Sequence, residues 1–204
     1  MKEHSSAVVP NDAYQNGRAL NYFDHHQSRF RNKLTDYREQ SVLKKALKLA
    51  GCPKSALDLP CGTGRFWRSF YDTGVEKLIT GDGSPSMLSV ANQRLKLEGW
   101  AHTLTLANAF ELPFQNDAVE LSACLRFYHH IARPQDRYKL LKELTRVSSG
   151  YIAISLWVDG NLAGNRRMKK QDVDLSVPGY GPRICRARAE VEHCLLYTSD
   201  AADE

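Results

Sequence analysis

Along the chain the spacing of apolar positions changes several times, and each change marks an element. Over residues 12–33 apolar and aromatic side chains recur at Ala19, Tyr22, Phe23 and Phe30, and over 37–50 at Val42, Leu43, Ala46, Leu47 and Ala50. Steps of three and four place such residues on one helix face, so two helices are expected, the second stopped by Gly51 and Pro53. Five short β-like runs follow, at Ser55–Leu59, Lys77–Thr80, Thr103–Leu106, Val119–Leu125 and Tyr151–Trp157. Helical spacing returns between them near 64–72, 84–97 and 134–147, while 108–117 is irregular. Strands alternating with helices close as right-handed parallel crossovers. The expected fold is therefore α/β, a doubly wound, mostly parallel sheet with helices on both faces. The stretch 159–183, rich in glycine and proline, reads as an excursion from the sheet.

The pattern then breaks off. Residues Arg186–His193 read as the opening of an amphipathic helix with no stop signal, and Cys194–Glu204, CLLYTSDAADE, does not continue it. That tail resembles one reading frame of a common transposase-type sequencing adapter and is set aside as a read-through scar, a genuine disordered tail being the alternative. The expected organisation is N-terminal helices over 1–51, an α/β core over 52–158, the excursion and a cut-off helix over 159–193, and the tail over 194–204. Setting the tail aside also changes the charge. The whole chain carries 28 Lys and Arg against 23 Asp and Glu, and without the three acids of the tail the balance rises from +5 to +8. Such a surplus suits an anionic partner or a solvated basic surface.

Composition excludes some classes. The first ten residues lack the apolar run of a signal peptide, and no stretch reaches the eighteen apolar residues of a membrane span. Cysteines at 52, 61, 124, 185 and 194 form no C-x-x-C, which argues against a disulfide framework or a zinc site. A cytoplasmic protein is expected.

Ligands of open parallel sheets bind beyond the carboxyl ends of the strands, so the residues that follow each strand matter most. After the first comes Asp58-Leu59-Pro60-Cys61-Gly62-Thr63-Gly64. Gly62 and Gly64 permit a sharp turn and close approach to main-chain N–H groups, although an ordinary tight turn would look the same. A dinucleotide fingerprint needs a small residue where Trp67 stands, and no G-K-[ST] is present, so NAD, FAD and a P-loop are disfavoured. Asp58 is placed to meet a cationic group. The second strand runs into Gly81-Asp82-Gly83-Ser84-Pro85, where Asp82 can accept both hydroxyls of a ribose and Ser84-Pro85 opens a helix. Asn108 offers its amide to an adenine edge, and Met87, Ala109 and Phe110 can wall the ring.

Four ordered blocks, LDLPCGTG, GDGSPSML, NAFELPF and the LRFYHHI segment, resemble the class I S-adenosylmethionine-dependent methyltransferases, and in particular the small-molecule branch similar to the ubiquinone and menaquinone methyltransferases. The likeness covers roughly residues 40–157 and implies a Rossmann-like fold with S-adenosyl-L-methionine as cofactor. Carried over by position, it implies that Asp58, the Pro60 carbonyl and Gly62 hold the methionine end, with Cys61 and Gly64 in the same loop. Asp82, beside Gly83, would hold the ribose, Asn108 and Ala109 would meet adenine, and Leu125 would lie near the methionine portion. Two departures stand out: the family usually has glycine where Pro60 stands and aspartate where Asn108 stands. Complete members add two further strands, one antiparallel, which this chain is expected to lack.

Methyl transfer to a small-molecule acceptor, by in-line displacement from a sulfonium, needs placement and exclusion of water more than acid–base chemistry. Where a proton must leave, His129 is the leading candidate because imidazole exchanges protons near neutral pH, with Tyr128 and Arg126 orienting the acceptor. His129-His130 also fits a pair of helix-entry residues bonded to backbone. In the family the N-terminal helices and the segment after strand five form the acceptor lid, here Tyr14, Tyr22, Phe23 and the basic run Arg166-Arg167-Met168-Lys169-Lys170. A basic lid suits an anionic acceptor or an anionic membrane surface, and a solvated loop equally. The absence of an N/D-P-P-Y/F motif disfavours nucleic acid, and nothing suggests a metal. A noncatalytic scaffold of the same fold is the rival reading.

Overall fold

The computed structural model describes residues 30–100, 102–156, 158, 165–166 and 169. The ordered elements are α1 (Phe30–Leu49), β1 (Ser55–Asp58), α2 (Trp67–Asp72), β2 (Lys77–Asp82), α3 (Pro85–Glu98), β3 (Thr103–Leu106), β4 (Val119–Cys124), a 3₁₀ turn (Tyr128–His130), α4 (Pro134–Val147) and β5 (Ser148–Ile154). All four strand pairings are parallel, in the order β3-β2-β1-β4-β5. This is the doubly wound, Rossmann-like sheet expected, and its order reverses between β1 and β4. The expected excursion, the cut-off helix and the tail lie outside the described residues, as do Tyr14, Tyr22 and Phe23 and most of the basic run.

Alternation along the central strands divides the core. Ala56, Leu121 and Ala123 pack with Leu43, Leu47, Trp67, Phe70 and Ala91 of the helices on one face. Leu57, Val119 and Cys124 pack with Leu140, Leu141, Leu144 and Val147 of α4 on the other. With both faces covered, β1 and β4 are buried at nearly every position, whereas the edge strand β3 is exposed or half-buried throughout.

Two elements differ from expectation. The first helix crosses 33–37 without a break, because that stretch contains neither glycine nor proline and Asp36, with Glu39 and Gln40 one turn on, finds partners on Arg65. It stops at Gly51 as expected, with φ +81°, and Cys52 continues the left-handed turn at +58°. The last strand begins at Ser148, directly after α4, rather than at Tyr151. Its pairing with β4 slips between Val119 and Leu121, and only glycine fits at 150, where a Cβ would lie 2.9 Å from the Glu120 carbonyl oxygen. Within the described residues no helix is long and apolar enough to cross a membrane.

Candidate functional site

Beyond the ends of β1 and β2, a short loop is tied to a buried carboxylate. The Cys61 amide donates to the Gly81 carbonyl at 2.8 Å, and the Gly62 amide donates to Asp82 Oδ2 at 2.8 Å. The other Asp82 oxygen accepts from the Ser84 amide at 2.8 Å. Ser84 then caps α3 by accepting from the Met87 amide at 3.3 Å, with Pro85 at the first helical position as expected. Gly62 and Gly64 both take positive φ, +56° and +74°, and the Leu59–Pro60 peptide is cis. Trp67 does not spoil this turn. It is fully buried over Gly64, edge-on to His102 at 4.3 Å, and Arg94 of α3 donates to the Gly64 carbonyl at 2.9 Å.

Two acids therefore sit in one desolvated place with different supports. Asp82 is only 7% exposed, and burial pushes its carboxyl up to about 6 against the pull of three backbone amides. Asp58 is wholly buried and neither carboxylate oxygen completes a hydrogen bond, although the Trp67 indole N–H, itself unsatisfied, and the Arg65 charge favour its ionised form. Burial first, and then the charge of Asp82, push it up to about 8. Cys61, buried beside both acids, is held as a neutral thiol, its pKa raised by burial and by their charge. An unpartnered buried carboxylate is costly unless a cation or donor arrives.

That cost has a measurable sign. The folded chain keeps a proton on Asp58 up to about pH 8, whereas the unfolded chain loses it near 3.8, so rising pH favours unfolding across this range. His102, lowered to about 4 by burial, works in the opposite direction only below its ordinary 6.5. Ligand-free stability should thus fall as pH rises from 6.5 to 8. Chemical denaturation at several pH values checks this, and a flat or rising profile over that window would contradict it.

Next along the edge, Asn108 folds back on its own loop. Its Oδ1 accepts from the Phe110 amide at 3.1 Å and its carbonyl from the Glu111 amide at 3.1 Å. Ala109 and Met87 are buried nearby, and the Ala107 amide is tied to the Asp82 carbonyl at 3.0 Å. The amide expected to read adenine is thus already a turn-former, which leaves its NH₂ and one lone pair for a ligand.

A cavity of about 300 Å³ opens between α1 and the ends of β4 and β5. Leu125, Arg126 and His129 line it, together with Glu39, Phe66 and Ser155. Tyr128 does not: it is buried in the opposite core with Ile131 and Leu140. Arg126 takes a left-handed φ of +60°, its amide donating to Ser155 Oγ at 2.6 Å. Its guanidinium meets Glu39 Oε1 at 2.6 Å, while the other Glu39 oxygen pairs with Arg65, which also meets Asp36 at 3.1 Å. Gln40 of the same helix turn donates to the Arg65 carbonyl at 2.8 Å and accepts from Ser69. Local reading missed Asp36, Glu39 and Gln40. Polar residues on a helix carry no motif, and only the distance between α1 and the strand ends shows their use. Among the described residues no group of His, Cys, Asp and Glu is arranged for a metal ion.

Residues 57–154 match the family model described as a methyltransferase domain. They are a class I S-adenosylmethionine-dependent methyltransferase domain. S-adenosylmethionine is accordingly the cofactor of this methyltransferase domain, and the orphaned Asp58 carboxylate and the glycine turn fit a ligand with a cationic end. An S-adenosylmethionine-dependent methyltransferase from Clostridium acetobutylicum ATCC 824 shares the fold at TM-score 0.65 and 15% identity, over 88% of this chain and 87% of that one. Another, from Methanosarcina mazei, shares it at TM-score 0.59 and 15% identity, over 71% and 78%. The [4+2]-cyclase SpnF is similar at TM-score 0.57 and 17% identity over 76% of this chain, which spans only 56% of the cyclase's length. No curated protein sequence matches the chain.

Proposed function

We propose that this methyltransferase methylates a small-molecule acceptor bound in the cavity between α1 and the ends of β4 and β5. The observation that carries the proposal is the pair of buried carboxylates under one glycine turn, Asp58 without a partner and Asp82 braced by the loop itself. When bound, S-adenosylmethionine supplies a methyl group made electrophilic by a sulfonium. Asp58, with the Pro60 carbonyl and the Gly62 turn, would hold the charged methionine end. Asp82 would hold the ribose hydroxyls through lone pairs that its backbone bonds leave open. Asn108, Ala109, Phe110 and Met87 would enclose the adenine, and Leu125 would border the methionine portion.

On the acceptor side, the remaining task is orientation and dryness. His129 is 2% exposed and lines the cavity, so it can take a proton on a ring nitrogen from an acceptor hydroxyl. Arg126 orients the acceptor. Tyr128, which lies in the core behind, would act by supporting the 3₁₀ turn that presents His129. The helical lid and the α/β core would then divide the labour between acceptor and cofactor.

Calorimetric titration with S-adenosylhomocysteine tests the cofactor half directly. Asp58→Asn keeps the shape and removes the charge, and loss of a charged hydrogen bond corresponds to roughly tenfold weaker binding or more. The same change removes a buried unpaired acid, so stability should hold or rise at pH 7. Equal affinity in the two proteins would remove the assigned role of Asp58.

A further inference from the structure

Given that the cavity is the acceptor site, as proposed above, we infer that it takes a small apolar molecule bearing one carboxylate, bound with that carboxylate at Arg126. The walls are divided by polarity. On α1, Arg38 and Glu39 precede Val42 and Leu43 by one turn and Ala46 by two. Helical rise sets Ala46 about 10 Å farther along the axis than Glu39. Glu39 meets Arg126 at 2.6 Å, and Ser155 holds the Arg126 amide at 2.6 Å, so Glu39, Arg126 and Ser155 share one corner. The remaining wall includes Val42, Leu43, Ala46, Phe66, Ile154 and Leu156 and suits a hydrocarbon body.

Charge at the corner decides what the polar end must be. Among the described residues that line the cavity, two guanidiniums, of Arg38 and Arg126, stand against one carboxylate, of Glu39, while Arg65 and Asp36 pair with each other behind it. One positive charge is left over. Guanidinium matches a carboxylate in geometry as well as charge, which a neutral hydroxyl cannot equal and an ammonium opposes. A phosphate monoester carries about −1.5 to −2 near neutrality and overshoots a single surplus charge, so a carboxylate fits better. A volume of about 300 Å³ lies at the small end of ligand sites, which restricts the body to a short chain or one ring system.

The chain saturated with S-adenosylhomocysteine is titrated calorimetrically with octanoate, octanol and octylamine at low ionic strength. Octanoate should bind about tenfold or more tightly than octanol, the scale of one charge-assisted contact, and octylamine should bind most weakly. The preference should fall toward parity in Arg126→Gln and narrow severalfold in Arg38→Gln, an exposed position that serves if the first variant does not fold. Added salt should narrow it as well. Equal binding of octanol, tighter binding of octylamine, or a preference intact in the variants overturns the inference. So does failure of all three probes on a chain that binds S-adenosylhomocysteine. Failure of S-adenosylhomocysteine itself to bind overturns the underlying cofactor reading and is seen separately, in its own titration.

Discussion

Asp82→Ala is expected to abolish measurable S-adenosylhomocysteine binding and to lower the unfolding free energy of the ligand-free chain by about 2–6 kcal/mol. The carboxylate is almost fully buried and accepts from the amides of Gly62 and Ser84, each at 2.8 Å. Alanine leaves both donors without a partner, and each orphaned buried N–H costs about 1–3 kcal/mol. The two amides come from different segments, the loop after β1 and the turn into α3. One side chain therefore sets the distance between the parts of the site proposed to hold the two ends of the cofactor. Removing a negative charge from the site relieves Asp58, which returns part of the loss. Urea denaturation beside calorimetry separates the effects, and retention of affinity within threefold of wild type would refute the assigned role of Asp82. Asp58→Asn completes the comparison, because it should cost affinity without costing stability. A loss of binding in both, with stability lost in only one, distinguishes a cofactor contact from a collapsed loop.

Gly64→Ala should be nearly as damaging, at about 2–5 kcal/mol, from two causes that add. The backbone there has φ +74°, which a side chain adopts at a cost, and a Cβ would lie 2.5 Å from the Trp67 ring. The indole has nowhere to move, since it is fully buried with the His102 ring edge-on at 4.3 Å. Gly62→Ala is the internal control. Its φ of +56° carries the backbone penalty alone, because nothing lies within 4 Å of the added carbon, so it should cost about 1–2 kcal/mol. Thermal or urea melts of the two variants check the order. A Gly62 variant less stable than the Gly64 variant would show that the packing of Trp67 does not govern this turn.

The contrast between those two glycines shows how far the residues can be read unaided. Both are equivalent in a G-x-G spelling, and both were expected to turn the chain. That one of them is pinned beneath an indole depends on Trp67 of α2 meeting Trp100 and His102 of the connection between α3 and β3. Trp67 in the sequence served only to exclude a dinucleotide fold. Similarly, Asp58 and Asp82 were legible as site residues because strand ends are where a parallel sheet exposes its ligands. Their unequal supports were not legible, since the amides that brace Asp82 are main-chain atoms with no sequence signature. Tyr128 and His129 are neighbours in the chain, yet a 3₁₀ turn sends one into the core and the other to the cavity wall.

Local order thus settled the existence of five strands, the helices between them, the parallel topology and the residues at the strand tips, because periodicity, glycine and proline act over a few positions and do not wait for the rest of the chain. The division of one face into the proposed cofactor pocket and the proposed acceptor cavity came from elsewhere. Asp36, Glu39 and Gln40 of α1 close that division through Arg65 and Arg126, partners up to 87 residues away. A polar helix face is ambiguous between solvent and such a partner until packing removes the solvent, and the strength of charge and hydrogen bonding rises only once it has gone.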